Sequence, residues 1–317
     1  MKILVTPTSL QPGKNERALA SLYEFADEII FNETGRPLQE EELIPMLQDC
    51  DGYIAGLDFV TEKVLRCCPK LKVISRYGIG YDRVDIRAAI ECGIKVTNTP
   101  GANSVAVGEL AFGLILAAAR KISYLDRSVR KGEWVRSCGM ELRGKTLGIC
   151  GLGAIGKVVA SCASGFRMNV IAYDPFINDA YCKENNIENV TFEELIQRSN
   201  IISLHLPLLE STHHMINDEV IKQMPDGAIL INASRGGIID EDAAYEALKS
   251  GKLGGLGLDA FEEEPPKNSK LLELDNVIAT PHTGAHTQEA TENMANLSVK
   301  NLIDVLSGKE CPFIVNK

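Results

Sequence analysis

KTLGICGLGAIG, residues 145–156, is the most informative stretch of this sequence. Residues 146–150 form a short, nearly apolar run, which predicts a strand buried on both faces. Gly151, Gly153 and Gly156 follow at once, and residues 157–163 have helical character. In such a strand–turn–helix unit the first glycine permits a tight turn and the second lets the backbone approach a pyrophosphate. The third lets the helix pack close to the strand.

Asp174 supports the interpretation of this turn as a dinucleotide site. A second predicted strand, residues 169–173, ends at Asp174, which lies 18 residues after Gly156. A carboxylate near this spacing accepts hydrogen bonds from the ribose hydroxyls and repels a 2′-phosphate. The N-terminus of the helix offers N–H groups to the pyrophosphate. The sequence therefore predicts binding of NAD(H) rather than NADP(H).

Length and composition restrict the class of protein. A chain of 317 residues exceeds what one compact core usually serves, so two domains are expected. The net charge of −10 argues against nucleic acid or an anionic membrane as the main partner. No segment reaches 18 apolar residues, the N-terminus lacks a signal-peptide layout, and the nine cysteines form no C-x-x-C pair. We therefore expect a cytoplasmic protein with reduced cysteines and no metal.

Alternating strand and helix patterns predict an α/β fold with two Rossmann-like, doubly wound parallel sheets. The first domain is predicted at residues 1–98 plus 285–317. It is discontinuous because the last helix, residues 287–306, has no sheet of its own. The second domain is predicted at residues 99–284. A long helix of small residues is predicted from about Ser104 to Lys131, where it suits close packing against another subunit.

Polar residues follow the predicted strands of the second domain, where ligands of open parallel sheets bind. These residues are His205, Arg235, Asp259 and His282, and Pro207, close after His205, is a further expected cofactor contact. Arg235 can hold a carboxylate in a two-point fork, and His282 can exchange a proton with a carbonyl oxygen. Glu264 can fix the tautomer of that histidine. A capping arginine, a structural histidine and a solvated acidic loop are the alternatives, and His205 and Asp259 can simply line a cofactor cleft.

Four separated motifs, in this order, resemble the D-isomer-specific 2-hydroxyacid dehydrogenase family. They are GLGAIG with Asp174, SRGGIIDEDAAYEAL, GLGLDAFEEEPP and ATPHTGAHT. The likeness is strongest to the phosphoglycerate dehydrogenase and hydroxypyruvate/glyoxylate reductase branches. It implies that Arg235 binds the substrate carboxylate and keto oxygen, that His282 is the acid/base, and that Glu264 supports His282.

The resemblance also implies further contacts. Substrate contacts are expected in the first, flavodoxin-like domain at Arg76, Tyr77, Gly78 and Ile79, with the N–H groups of Gly78 and Ile79 sharing the carboxylate. Cofactor contacts are expected at Thr99, Ala154, Ile155, Asp174, Ala233, Arg235, Asp259, His282 and Gly284. A homodimer is expected through the helix near 104–131. Phosphorylated and unphosphorylated substrates both stay open.

The main hypothesis is an NAD-dependent oxidoreductase that interconverts a small 2-keto acid and its (R)-2-hydroxy acid. One alternative is an NAD(H)-sensing, corepressor-like binding protein without significant turnover. Another is an enzyme that takes hydride from formate or phosphite. Formate enzymes of this family carry Gln at the position of Glu264, which disfavours formate here.

Overall fold

The computed structural model describes residues 1–317, which divide into two compact units. Unit 1 comprises residues 1–103 and 286–317, and unit 2 comprises residues 104–285. Each unit contains one sheet of parallel strands with helices against it, so the predicted fold class is confirmed. No helix combines the length and the apolar character that crossing a membrane requires.

Unit 1 is built on a five-stranded sheet in the order β2-β1-β3-β4-β5. Its strands are β1 (Lys2–Val5), β2 (Glu28–Phe31), β3 (Gly52–Ala55), β4 (Val73–Arg76) and β5 (Lys95–Thr97). Its helices are α1 (Glu16–Phe25), α2 (Glu40–Leu47), α3 (Glu62–Arg66), α4 (Ile86–Glu91) and α12 (Gln288–Leu306). This is the flavodoxin-like strand order.

Side chains that alternate along the strands of unit 1 fill two separate cores. Ile3 and Val5 face a core that includes Val299 and Leu302 of α12, whereas Leu4 faces the opposite one. Because successive side chains of a strand point to opposite faces, a sheet covered on both sides needs apolar residues at every position. Helix α12 therefore belongs to the core of unit 1, although it lies near the end of the chain.

Unit 2 is built on a seven-stranded sheet in the order β12-β11-β10-β9-β6-β7-β8. Its strands are β6 (Thr146–Cys150), β7 (Asn169–Tyr173), β8 (Glu188–Asn189), β9 (Ile201–Leu204), β10 (Ala228–Asn232), β11 (Leu253–Leu258) and β12 (Val277–Ala279). Its helices are α5 (Ser104–Ala119), α6 (Ile122–Arg130), α7 (Ala154–Gly165), α8 (Asp179–Glu184), α9 (Phe192–Arg198), α10 (Asp218–Gln223) and α11 (Glu241–Ser250), with a 3₁₀ turn at Lys270–Glu273. The order reverses beside β6, as in a dinucleotide-binding Rossmann sheet.

The prediction of one helix over 104–131 is wrong, because the chain breaks into α5 and α6. Lys121 takes a left-handed conformation with φ of 55°. The Ala119 carbonyl, which a continuing helix would use, instead accepts the Met140 N–H at 2.7 Å. Helix α5 packs on α7, β10 and β11 of its own unit. Gly108 and Ala118 of α5 thus serve an internal contact, against Val158 and Gly255.

Candidate active site

The glycine-rich turn links β6 to α7 in unit 2. A Cβ atom on Gly156 would lie 2.2 Å from the Gly151 carbonyl oxygen, so a side chain there would push the helix off the turn. The first hydrogen bond of the helix joins the Lys157 N–H to the Gly153 carbonyl at 3.0 Å. The N–H groups of Ala154, Ile155 and Gly156 therefore have no partner within the helix and point to its N-terminal end. This end can receive a pyrophosphate.

Asp174 lies directly beside this turn, at the end of β7. Its Oδ2 accepts the Leu152 N–H at 2.8 Å, and its Oδ1 accepts the Phe176 N–H at 2.8 Å. Two backbone donors thus fix the carboxylate, and each oxygen keeps a lone pair for a ribose hydroxyl. The residues present fit NAD rather than NADP, because the Asp174 carboxylate would repel the 2′-phosphate of NADP.

His205 follows β9, the strand next to β6. Its Nε2 lies 2.9 Å from Ser203 Oγ, and its Nδ1 is buried without a hydrogen-bond partner. Burial lowers the pKa of His205 to about 4, so the ring is neutral at neutral pH. Pro207, also predicted to contact the cofactor, accepts the Thr212 hydroxyl at its carbonyl at 2.7 Å.

Arg235 lies in the turn after β10, and Asn232 holds that turn. Asn232 Nδ2 donates to the Arg235 carbonyl at 2.7 Å, and Asn232 Oδ1 accepts the Ser234 N–H at 3.1 Å and the Ser234 hydroxyl at 2.8 Å. The Arg235 guanidinium donates to the Ser234 carbonyl through Nη1 at 2.8 Å. The sequence analysis did not predict a role for Asn232. The feature that could have indicated it is a polar residue at the end of an otherwise apolar strand, directly before the turn that carries Arg235.

Asp259 holds the turn that carries His282. Its Oδ1 accepts the Thr280 hydroxyl at 2.6 Å and the Thr283 N–H at 2.8 Å, and its Oδ2 accepts the Gly284 N–H at 2.8 Å. The carboxylate is buried at the end of β11, next to β12. Three donors from one turn compensate for its burial. The structure thus gives Asp259 a positioning role that the sequence did not indicate.

His282 and Glu264 form a hydrogen-bonded pair. His282 Nδ1 lies 2.8 Å from Glu264 Oε1, and both side chains are mostly buried. Glu264 Oε1 also accepts the Phe261 N–H at 3.3 Å. A carboxylate that accepts from Nδ1 fixes the ring orientation and leaves Nε2 to exchange a proton. His282 takes a left-handed conformation with φ of 50°, which the surrounding turn maintains.

The arginine turn packs against the segment that carries Glu264. A Cβ atom on Gly236 would lie 1.8 Å from the Phe261 carbonyl oxygen, so the two backbones are in direct contact. Strands β10, β11 and β12 are neighbours, and their carboxyl ends lie at one edge of the sheet. The structure therefore brings Arg235, Glu264 and His282 to the same edge of unit 2. Ala233 and Gly284, predicted to contact the cofactor, lie in the same two turns.

The remaining predicted residues belong to unit 1. The Thr99 N–H donates to the Gly78 carbonyl at 3.1 Å, and its Oγ1 is buried without a hydrogen-bond partner. Arg76 ends β4, and Tyr77, Gly78 and Ile79 form the loop after it.

His213 and His214 stack in an exposed loop of unit 2, with ring centroids 4.0 Å apart. His214 Nε2 pairs with Glu262 Oε1 at 2.8 Å.

The fold and the site of unit 2 define an NAD-dependent dehydrogenase. The model of the D-isomer specific 2-hydroxyacid dehydrogenase, NAD binding domain, matches residues 112–284, more than half of the chain. The chain belongs to the D-isomer specific 2-hydroxyacid dehydrogenase family. The resemblance found in the sequence is thereby confirmed, and so is NAD as the cofactor.

Individual relatives carry names from the branches that the motifs indicated. The chain is 44% identical over 288 residues to a D-3-phosphoglycerate dehydrogenase of Methanocaldococcus jannaschii, with 90% of this chain covered but only 55% of that protein. It is 38% identical over 310 residues to a glyoxylate reductase of Korarchaeum cryptofilum, with 95% and 93% covered.

A solved structure supports the same class. The D-lactate dehydrogenase of Aquifex aeolicus, complexed with NAD and lactic acid, has a TM-score of 0.86 and 31% identity, with 99% of both chains covered. These names support the enzyme hypothesis and not the alternative of an NAD(H)-sensing corepressor.

Proposed function

We propose that this chain interconverts a small 2-keto acid and its (R)-2-hydroxy acid, with Arg235, Glu264 and His282 as the catalytic set. The observation that carries the proposal is the His282–Glu264 pair, 2.8 Å apart, beside the Arg235 turn in the NAD-binding unit. Glyoxylate, hydroxypyruvate and 3-phosphohydroxypyruvate are the candidate substrates, because the relatives named above act on this chemical class.

Each of the three side chains has a distinct task. Bound NADH supplies the hydride to the keto carbon. The Arg235 guanidinium holds the substrate carboxylate by a fork of two N–H groups and polarises the keto oxygen. The His282 ring gives that oxygen its proton from Nε2 in the reduction and takes the proton back in the oxidation. Glu264 holds the ring and stabilises its protonated form.

A panel of 2-keto acids with NADH, followed by absorbance, tests this function directly. We expect turnover by the wild type and a kcat lower by about 10²–10⁴-fold in His282→Ala, because the proton donor is lost. The dissociation constant of NADH should stay near that of the wild type, and the exposed His213→Ala serves as the control. Near-wild-type turnover in His282→Ala would remove His282 from the mechanism.

We also propose that the enzyme is a homodimer formed through α5, α6 and the segment 131–141. Large apolar side chains lie exposed along this region, and Trp134 is 81% exposed. Exposed apolar surface of this extent is typical of a contact with another subunit. Trp134→Glu should lower the molar mass measured by light scattering to that of a monomer. Phe176→Glu, at a residue 93% exposed elsewhere in unit 2, should leave the dimer intact.

A further inference from the structure

Arg76 spans the loop that follows β4 in unit 1. It is only 4% exposed, although arginine usually lies at the surface. Its Nη1 donates to the Ala55 carbonyl at 2.7 Å, and its Nε donates to the Gly80 carbonyl at 3.0 Å. The Arg76 guanidinium therefore connects Ala55, at the end of β3, with Gly80, at the far end of the loop. Lysine, with a single ammonium group, cannot make both contacts in this geometry.

The rest of the loop is fixed through its carbonyl groups. The Gly78 carbonyl accepts the Thr99 N–H at 3.1 Å, and the Ile79 carbonyl accepts Asn98 Nδ2 at 2.9 Å. The N–H groups of Gly78 and Ile79 donate to no protein acceptor. With their carbonyls held, these two N–H groups are presented together as donors. This arrangement suits a carboxylate.

Tyr77 is not available to a substrate through its polar groups. Its N–H donates to the Ala55 carbonyl at 3.0 Å, and its hydroxyl donates to the Thr291 carbonyl at 2.7 Å. The same hydroxyl accepts from Ser9 Oγ at 2.9 Å. Burial raises the pKa of Tyr77 to about 12, so it carries no charge at neutral pH.

The neighbouring loop after β3, residues 56–60, contains one carboxylate and no cationic residue of its own. Asp58 is 1% exposed and accepts the Tyr53 hydroxyl at 2.8 Å and the Leu38 N–H at 2.6 Å. Arg83 donates to the Leu57 carbonyl at 2.8 Å and lies over the Phe59 ring, 4.7 Å from its centroid. The exposed side chains of the two loops are the apolar Leu57, Phe59, Ile79 and Tyr81 together with the acidic Asp82.

We propose that Arg76 is a positioning residue that holds the Gly78 and Ile79 N–H groups toward the substrate carboxylate, and that the substrate tail is uncharged. The proposal rests on the proposed function, because it assumes a 2-keto acid. It departs from the expectation that the Arg76 side chain itself contacts the substrate. A side chain that is buried and bonded to two carbonyls is committed to its own loop. A dianionic phosphate at the two loops would meet apolar side chains and the exposed Asp82 carboxylate.

Arg76→Lys distinguishes positioning of the loop from direct binding of a substrate anion. Lysine keeps the positive charge but loses the two hydrogen bonds of the guanidinium to the Ala55 and Gly80 carbonyls. Arg87→Lys is the matched control, since Arg87 lies in the same unit with its side chain 91% exposed. If Arg76 positions the loop, Arg76→Lys should raise KM for hydroxypyruvate and for 3-phosphohydroxypyruvate by a similar factor, roughly 10–100-fold, with a smaller effect on kcat. The wild type should favour hydroxypyruvate in kcat/KM by at least about tenfold.

Hydrogen exchange of the Tyr77 and Thr99 amides, which donate to the Ala55 and Gly78 carbonyls, gives a readout that does not depend on turnover. Exchange should be faster in Arg76→Lys than in the wild type and in Arg87→Lys. Unchanged exchange would overturn the positioning role even in an active enzyme. The proposal of an uncharged substrate tail would be overturned by a higher wild-type kcat/KM for 3-phosphohydroxypyruvate than for hydroxypyruvate. A rise in KM of Arg76→Lys for 3-phosphohydroxypyruvate alone would overturn it as well. Absence of turnover with every acid would instead reject the proposed function, and exchange would still decide the role of Arg76.

Discussion

Two buried polar residues, Asn232 and Asp259, show how the predicted catalytic side chains are supported at the level of single residues. Asn232 holds the Arg235 turn through the Arg235 carbonyl and Ser234, and Asp259 holds the His282 turn through three donors. Neither residue needs to touch a substrate to affect the reaction. A small error in the placement of a catalytic group lowers the rate strongly, so such supports are part of the site.

The charge of Asp174 should decide between the two nicotinamide cofactors. In Asp174→Asn the amide oxygen can still accept a backbone N–H, but the repulsion of a 2′-phosphate is gone. We expect the dissociation constant of NADH to rise by roughly 10–100-fold, since a hydrogen bond to a charged group is lost. We expect the dissociation constant of NADPH to fall or to remain unchanged. Fluorescence titration with both cofactors measures the ratio.

The control for this experiment is Asp179→Asn, at the exposed first residue of α8. Asp179 accepts Asn189 Nδ2 at 3.0 Å and makes no contact with the glycine-rich turn. It should preserve the wild-type ratio of the two dissociation constants. An unchanged ratio in Asp174→Asn would show that the 2′-position of the ribose is recognised by other residues.

At the level of elements, the crossing of β6 and α7 leaves no space for a side chain at Gly156. Gly156→Ala places a methyl group against the Gly151 carbonyl, 2.2 Å away, so helix and turn must separate. We expect the free energy of unfolding to fall by about 1–3 kcal/mol, the usual range for overpacking. NADH binding should weaken as well, because the N–H groups at the helix N-terminus move. Urea titration and fluorescence measure the two effects.

Gly165, the last residue of the same helix, is the matched control. A Cβ atom there meets nothing within 4 Å. Gly165→Ala should therefore be neutral or raise the free energy of unfolding by about 0.5–1 kcal/mol, because alanine loses less backbone entropy in a helix. Equal losses of stability in both variants would contradict the steric explanation.

At the level of the whole molecule, the stability of the fold should depend on pH through His205. Burial lowers the pKa of His205 from 6.5 to about 4 in the folded state. Between these two values the unfolded chain binds the proton more readily, so the contribution of this histidine is complete above pH 6.5 and is lost as the pH falls toward 4. The loss between pH 7 and pH 5 should be about 2 kcal/mol.

A comparison with His205→Gln isolates this contribution from those of the other titrating groups. The free energy of unfolding in urea, measured at pH 7, 6 and 5, should fall more steeply for the wild type than for His205→Gln. His213→Gln, at an exposed histidine, should follow the wild type. Parallel curves for the wild type and His205→Gln would show that His205 is hydrated in the folded protein.

Much of the fold could be predicted because its signals are local. The apolar runs at 146–150, 169–173 and 228–232 become β6, β7 and β10, since a strand covered on both faces needs apolar residues throughout. The prediction failed where a distant residue decides the local conformation. The break after Ala119 depends on Met140, which lies in a segment without periodicity. The short α8 and β8 carry too few residues to show a period.

The sequence by itself determined the two parallel sheets, the cofactor and the residue types at the strand ends, because these follow from periodicity and from motifs of fixed spacing. Only the tertiary structure decided which polar groups pair with one another. The 2.8 Å contact of His282 with Glu264, the three donors on Asp259 and the commitment of Arg76 to two carbonyls join positions that are separate in the chain. Such pairings depend on how loops from different strands meet at the edge of a sheet, where burial makes an unpaired polar group costly.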